Sequence, residues 1–235
     1  MFIAGLNKTT LLDYPGRVAA TIFTGGCNFR CPFCHNAGLV LTPSSAESYS
    51  EEEVFSFLVK RKNVLQGVCI TGGEPTLQDD LKEFIMKIKD LGYVVKLDTN
   101  GYRPEVLQSL LEKDLLDYVA MDIKNNPSKY AVTVGMNVDT EKIKESVELL
   151  KASTIDYEFR TTVVKEFHDR NDFREMAEWI KGCPQYFLQQ YKESDYMICM
   201  SRAFHAYEKE EMEAFAGDVR AVLGENGLVS LRGID

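Results

Sequence analysis

Apolar positions in this chain fall into short runs that alternate with longer segments of helical spacing. Val18–Phe23 is a compact apolar run that ends at Thr24-Gly25-Gly26. Glu51–Lys62 predicts a helix, with Ser50 as N-cap and Glu53 three residues on, the pattern of a capping box. Val68–Thr71 predicts a strand stopped by Gly72-Gly73, and Asp79–Leu91 carries Leu81, Phe84, Ile85 and Ile88 at helical spacing. Val94–Leu97 predicts a strand, and Pro104–Lys113 a helix with proline in its first turn. Tyr118–Ile123, Tyr157–Val164 and Gln185–Gln190 read as strands, Thr140–Lys151 and Asp172–Lys181 as helices. Glu208–Leu223 predicts a last helix and Leu228–Leu231 a short strand, while the polar stretch Leu41–Ser50 predicts a loop.

Such alternation implies parallel strands joined by right-handed crossovers. Two closures suit it, an open doubly wound sheet and a barrel. A full barrel of eight units typically takes about 250 residues. Six units in 235 residues predict an α/β fold of partial (β/α)6 barrel type, open on one side, as a single domain over 1–235. In parallel α/β folds the site lies at the C-terminal strand ends, and polar groups recur there. They are the cysteine loop, Gly72-Gly73-Glu74-Pro75, Asp98-Thr99-Asn100, Asp122 with Lys124, Arg160-Thr161-Thr162, and Gln189-Gln190.

Charge and composition narrow the classes. A net charge of −9 argues against the basic patch of a nucleic-acid surface. No apolar run is long enough to cross a bilayer, and the first residues lack the layout of a signal peptide. Six cysteines in a chain of this length do not make a disulfide framework. Clustered cysteines in a reducing compartment more often bind metal or do redox chemistry, so a cytoplasmic protein is expected.

Three of the cysteines stand in one run, Cys27-Asn28-Phe29-Arg30-Cys31-Pro32-Phe33-Cys34. A cubane cluster usually takes four thiolates, so three leave one iron open, as a catalytic metal site requires. A structural zinc site with His35 as fourth ligand is the alternative. It is strained, because adjacent Cys34 and His35 would have to bind one tetrahedral ion together. Cys69 sits in an apolar strand and reads as core, and Cys183 and Cys199 lack the spacing of a second cluster.

The C-x3-C-x2-C spacing, with Phe33 before the last cysteine, resembles the signature of the radical S-adenosylmethionine (SAM) enzymes. The resemblance implies a 4Fe-4S cluster on Cys27, Cys31 and Cys34. Its open iron binds the amino and carboxylate groups of SAM, and an electron from it frees a 5′-deoxyadenosyl radical. Gly72-Gly73-Glu74-Pro75 resembles the GGEP motif, whose backbone and glutamate contact the SAM amino group. Glycines let a backbone approach a ligand closely, and a carboxylate suits an ammonium. Leu97-Asp98-Thr99-Asn100-Gly101 and Met121-Asp122-Ile123-Lys124 resemble segments of glycyl-radical-enzyme activating enzymes. There Asp98, Thr99 and Asp122 correspond to ligands of a monovalent cation beside SAM, and Lys124 to the partner of the SAM carboxylate. Asn36 in Cys34-His35-Asn36 corresponds to a residue near the adenosine end of SAM. Arg160 and Thr162 are expected to face its ribose or carboxylate, and His35 to stack near the adenine or pack beside the loop.

Leu12-Asp13-Tyr14-Pro15-Gly16, the cysteine run and Val229-Ser230-Leu231-Arg232-Gly233 together resemble the anaerobic ribonucleoside-triphosphate reductase activating proteins. That likeness implies a large glycyl-radical enzyme as partner and flavodoxin or ferredoxin as electron donor. Pyruvate formate-lyase activating enzymes are close alternatives. The 7-carboxy-7-deazaguanine synthases, small-molecule radical enzymes of similar length, are another, and a non-catalytic iron–sulfur or zinc module is a third.

Overall fold

The computed structural model describes residues 1–42, 48–192, 197–224 and 227–234. Residues 43–47, within the loop expected over 41–50, lie outside the described set. Eight strands form one sheet in sequence order: β1 (Ile3–Thr10), β2 (Ala19–Thr24), β3 (Gly67–Gly72), β4 (Val94–Thr99), β5 (Tyr118–Asp122), β6 (Asp156–Val163), β7 (Gln185–Gln190) and β8 (Leu228–Arg232). β1 is antiparallel to β2, and each later pair is parallel. The helices are α1 (Ala37–Leu41), α2 (Glu51–Arg61), α3 (Leu81–Asp90), α4 (Pro104–Leu111), α5 (Tyr130–Val134), α6 (Thr140–Ala152), α7 (Arg170–Trp179) and α8 (Lys209–Leu223).

The sheet is the expected open α/β arrangement, extended at both edges. α8 returns the chain to β8, so a helix also follows the sixth of the parallel strands. β1 escapes the pattern reading because Asn7, Lys8 and Thr9 are exposed, giving an edge strand with no continuous apolar run. The five-residue helices α1 and α5 are too short to show a period. The capping box of α2 is formed, with Ser50 Oγ accepting from Glu53 N at 3.2 Å and Glu53 Oε2 accepting from Ser50 N at 2.8 Å. Asp169 and Asp172 make a second box at the start of α7.

Alternation along the strands sorts the side chains onto two faces. Val95 and Leu97 of β4, Val119 and Met121 of β5, Phe159 of β6 and Leu188 of β7 are fully buried. They share one apolar cluster with Phe84 and Ile88 of α3, Leu107 of α4, Ile143 and Val147 of α6 and Phe173 of α7. The other face carries Lys96, Asp98, Asp122, Glu158, Arg160, Thr162, Gln189 and Arg232. The register sets Asp122 beside Arg160, Thr162 beside Gln189 and Gln189 beside Arg232. Leu11–Asp13 of the β1–β2 connection and Arg232-Gly233 at the end of β8 line one chamber of about 540 Å³ with Lys96, Glu158 and Arg160. The two ends of the sheet therefore curl toward each other around a polar interior.

Candidate active site

The loop after β2 carries the three cysteines, and backbone bonds tie it to four other segments. Gly26 N donates to Leu39 O at 2.8 Å, Arg30 N to Val134 O at 2.9 Å and Cys199 N to Pro32 O at 3.0 Å, and Glu74 N donates to Gly26 O at 2.8 Å. Phe33 is wedged among Phe167, Tyr191 and Phe204, with ring centroids 5.4–6.4 Å away. This aromatic packing closes the loop's back against water. Cys27, Cys31 and Cys34 all line a cavity of about 290 Å³ at the C-terminal ends of the strands.

Burial pushes the Cys27 thiol up to about 11 and the Cys31 thiol up to about 12, with Lys124 opposing the shift at both. Thiols held neutral this way become ligands only against a positively charged metal centre, which supplies the compensating charge. Three soft sulfur donors suit an iron–sulfur cluster. Among the described residues no three His, Cys, Asp or Glu side chains gather as ligands of a single ion. His35 is turned away, stacked on Tyr191 at 5.1 Å with its Nε2 against Lys192 O at 2.5 Å. The zinc alternative therefore lacks its fourth ligand, whereas the thiols around the cavity fit a multi-iron cluster. Phe29 N donates to Cys27 Sγ at 3.4 Å, a contact of the kind that tunes cluster ligands.

The glycines of Gly72-Gly73-Glu74 serve close packing of two backbones. A Cβ on Gly73 would lie 1.9 Å from Gly26 O, and one on Gly72, at φ +114°, would lie 2.4 Å from Thr24 N. What they admit is the end of β2 and the start of the cysteine loop. Glu74 is buried, and its carboxylate accepts four hydrogen bonds. Oε1 takes Thr76 N (3.0 Å), Thr76 Oγ (2.6 Å) and Thr99 Oγ (2.8 Å), and Oε2 takes Asn100 N (2.7 Å). Burial pushes its carboxyl upward, and the bonds from Thr76, Asn100 and Thr99 pull the other way. Glu74 thus clamps β3 to the end of β4. Glu74→Gln is expected to destabilise the fold, because an amide cannot accept from all these donors. With its oxygen at Oε1, its NH2 faces Asn100 N–H and strands a buried donor, at a cost of about 1–3 kcal/mol. Urea unfolding checks this, and an unchanged midpoint would remove the clamp.

Across the cavity lies a chain of alternating charges from three strands. Lys96 Nζ contacts Asp98 Oδ1. Arg160 Nη1 reaches Asp98 Oδ2 at 3.1 Å and its Nε reaches Asp122 Oδ1 at 3.0 Å, while Lys124 Nζ meets Asp122 Oδ2 at 2.9 Å. Burial works against ionisation at Asp122, yet Arg160 and Lys124 prevail and hold its carboxyl down at about 2. At Asp98 burial is likewise overcome, by Arg160 and Lys96, and its carboxyl stays below the usual range.

Asn36, Gly72, Gly73, Glu74, Asp98, Thr99, Asp122, Lys124, Arg160 and Thr162, each singled out from the sequence, line the cavity beside the cysteines. Asn100 and Gln189, read from the sequence as polar groups at strand ends, line it as well. The structure adds Lys96, which sits 2% exposed behind Asp98. Lys96 was readable as a charge two residues before Asp98 in Val94-Val95-Lys96-Leu97-Asp98, hence on the same face of the strand.

Thiols, charged pairs and a buried carboxylate thus meet in one cavity at the C-terminal ends of parallel strands. Residues 21–180 match the model of the Radical SAM superfamily, and the chain belongs to that superfamily. It is similar to the "Putative glycyl-radical enzyme activating enzyme" of Methanocaldococcus jannaschii, 36% identical over 201 residues, 82% of this chain and 81% of the relative. The pyruvate formate-lyase-activating enzyme of Listeria monocytogenes is 34% identical over 130 residues, 51% of this chain and 52% of the relative. Among solved structures, SuiB of Streptococcus suis superposes with a TM-score of 0.72 at 15% identity, covering 91% of this chain and 48% of that longer one. That likeness is one of fold. The family implies a 4Fe-4S cluster and SAM. No helix among the described residues is long and apolar enough to cross a membrane.

Proposed function

We propose that this enzyme is a glycyl-radical activase. In this reading it cleaves SAM reductively and takes a hydrogen atom from one glycine of a large partner, anaerobic ribonucleoside-triphosphate reductase. Flavodoxin or ferredoxin supplies the electron. The observation that carries the reading is the single cavity that joins the three thiols to a cation-rich wall and a buried carboxylate. Cys27, Cys31 and Cys34 would hold the cluster, which when bound supplies the electron that splits the SAM sulfonium. The residues of the chain do the positioning. Lys124 and Arg160, each shared with Asp122, present positive charge to the SAM carboxylate. Among the described residues Glu74 Oε2 accepts from Asn100 alone and, with two lone pairs on that oxygen, keeps one for the SAM ammonium. Gly72 and Gly73 bring that carboxylate close to the cysteine loop.

A macromolecular substrate is supported by the likeness to activating enzymes and by the open sheet. A glycine on a flexible loop can bring its Cα–H to the 5′ carbon of SAM, and holding the two in contact is the main catalytic task. The test mixes reduced enzyme, SAM and the reductase without oxygen and records electron paramagnetic resonance. A doublet that collapses when the glycine α-hydrogen is deuterated is expected. A doublet formed only on another glycyl-radical enzyme would move the partner and keep the mechanism. Turnover of a free nucleotide instead would overturn the activase reading.

A further inference from the structure

Both aspartates that the family resemblance would give to a monovalent cation already carry an ion pair on each oxygen. Asp98 offers Oδ1 to Lys96 and Oδ2 to Arg160, and Asp122 offers Oδ1 to Arg160 and Oδ2 to Lys124. Thr99, the third oxygen of that set, donates its hydroxyl to Glu74 at 2.8 Å and accepts from Gly101 N at 3.1 Å. A sodium or potassium ion would have to share oxygens that already accept charge-assisted bonds from fixed cations. The charge balance points the same way. Three side-chain cations face two carboxylates here, leaving one unit of positive charge. A carboxylate ligand brings the group to neutrality, whereas an added cation doubles an excess inside a buried site.

Lys96 is the member that a cation site would not need. Its side chain is 3% exposed, and its Nζ lies 5.8 Å from the Tyr118 ring centre and 3.9 Å from Cys69 Sγ. It faces the chamber of Glu158 and Arg232 and does not line the cavity itself. An ammonium pinned there is a fixed charge that cannot dissociate. We infer that Lys96 takes the place of a monovalent metal ion in this enzyme, holding Asp98, and through Arg160 Asp122, in the arrangement that receives the carboxylate of SAM. Lys96 is a positioning residue, and the inference rests on the reading that this cavity binds SAM.

The experiment uses the anaerobically reconstituted, full-length protein. SAM is titrated and followed through the resonance of the reduced cluster and by equilibrium dialysis. The salts are tetramethylammonium, sodium and potassium chloride at equal ionic strength. Wild-type affinity and line shape are expected to agree within about two-fold in all three. Lys96→Met is expected to bind SAM at least ten-fold more weakly in tetramethylammonium chloride and to recover most of that loss in potassium or sodium chloride, which can enter beside the freed Asp98 oxygen. Lys96→Arg, which keeps the charge, is expected to stay insensitive to the salt. A ten-fold loss of wild-type affinity in tetramethylammonium chloride would overturn the inference and leave SAM binding intact, as would wild-type affinity of Lys96→Met in that salt. Failure of the wild type to bind SAM in any salt would overturn the SAM reading and the inference with it. If Lys96→Met fails to fold, the wild-type comparison still decides.

Discussion

Cys27→Ala, Cys31→Ala and Cys34→Ala are each expected to abolish the iron–sulfur chromophore after anaerobic reconstitution and, with it, all SAM cleavage. Each removes one of the three thiols on the cavity wall, and among the described residues no other cysteine lines the cavity to replace it. Cys69 and Cys183 are buried, and burial raises both thiols, Cys183 to about 11, as expected of inert core cysteines. Cys199 is tied by its backbone to Pro32, with its thiol 3.4 Å from Ser201 Oγ. Cys69→Ser, Cys183→Ser and Cys199→Ser are therefore expected to keep a full cluster. Iron and sulfide analysis with visible absorption checks both halves. Full iron content in all three cavity mutants would sink the cluster assignment.

The cluster loop was the most legible part of the chain because its spacing is local: three thiols within eight residues need no tertiary information to be recognised. The alternation of strands and helices was nearly as legible, since buried parallel strands give continuous apolar runs. What the sequence hid was partnership. Glu74 reads as a free carboxylate at a strand end, yet Thr76 and Thr99 donate to its Oε1 and Asn100 to its Oε2, and only the folded register brings β4 to it. Gly72 and Gly73 read as room for a ligand, and they prove to be room for Thr24 and Gly26. Lys96 stands in the sequence as one polar position of an apolar strand. Its meaning came from Arg160, 64 positions later, reaching the same aspartate.

Arg160→Ala is expected to be the most damaging single change outside the cysteines. The guanidinium, 14% exposed, is the only side chain among the described residues bonded to both Asp98 and Asp122. Its loss leaves two carboxylates on neighbouring strands, each with one oxygen stripped of its partner. Breaking a buried pair by removing one member costs about 3–5 kcal/mol, a large share of the stability of a domain. Arg160→Lys should recover only part of it, because one ammonium cannot bridge two carboxylates as a planar fork does. The sign of the pH dependence follows from the aspartates. Asp122 is held at about 2 in the folded protein, below its ordinary value near 3.9. Its contribution to wild-type stability is therefore complete above about pH 4 and is lost as the pH falls toward 2. Without Arg160 the folded-state value rises, since burial is then opposed by Lys124 alone, and protonation relieves the mutant rather than harming it. The gap in melting temperature between wild type and Arg160→Ala should be widest at pH 7 and narrow as the pH falls toward 4. A gap that stayed constant, or a mutant that melted with the wild type at pH 7, would show that Arg160 does not carry the two aspartates.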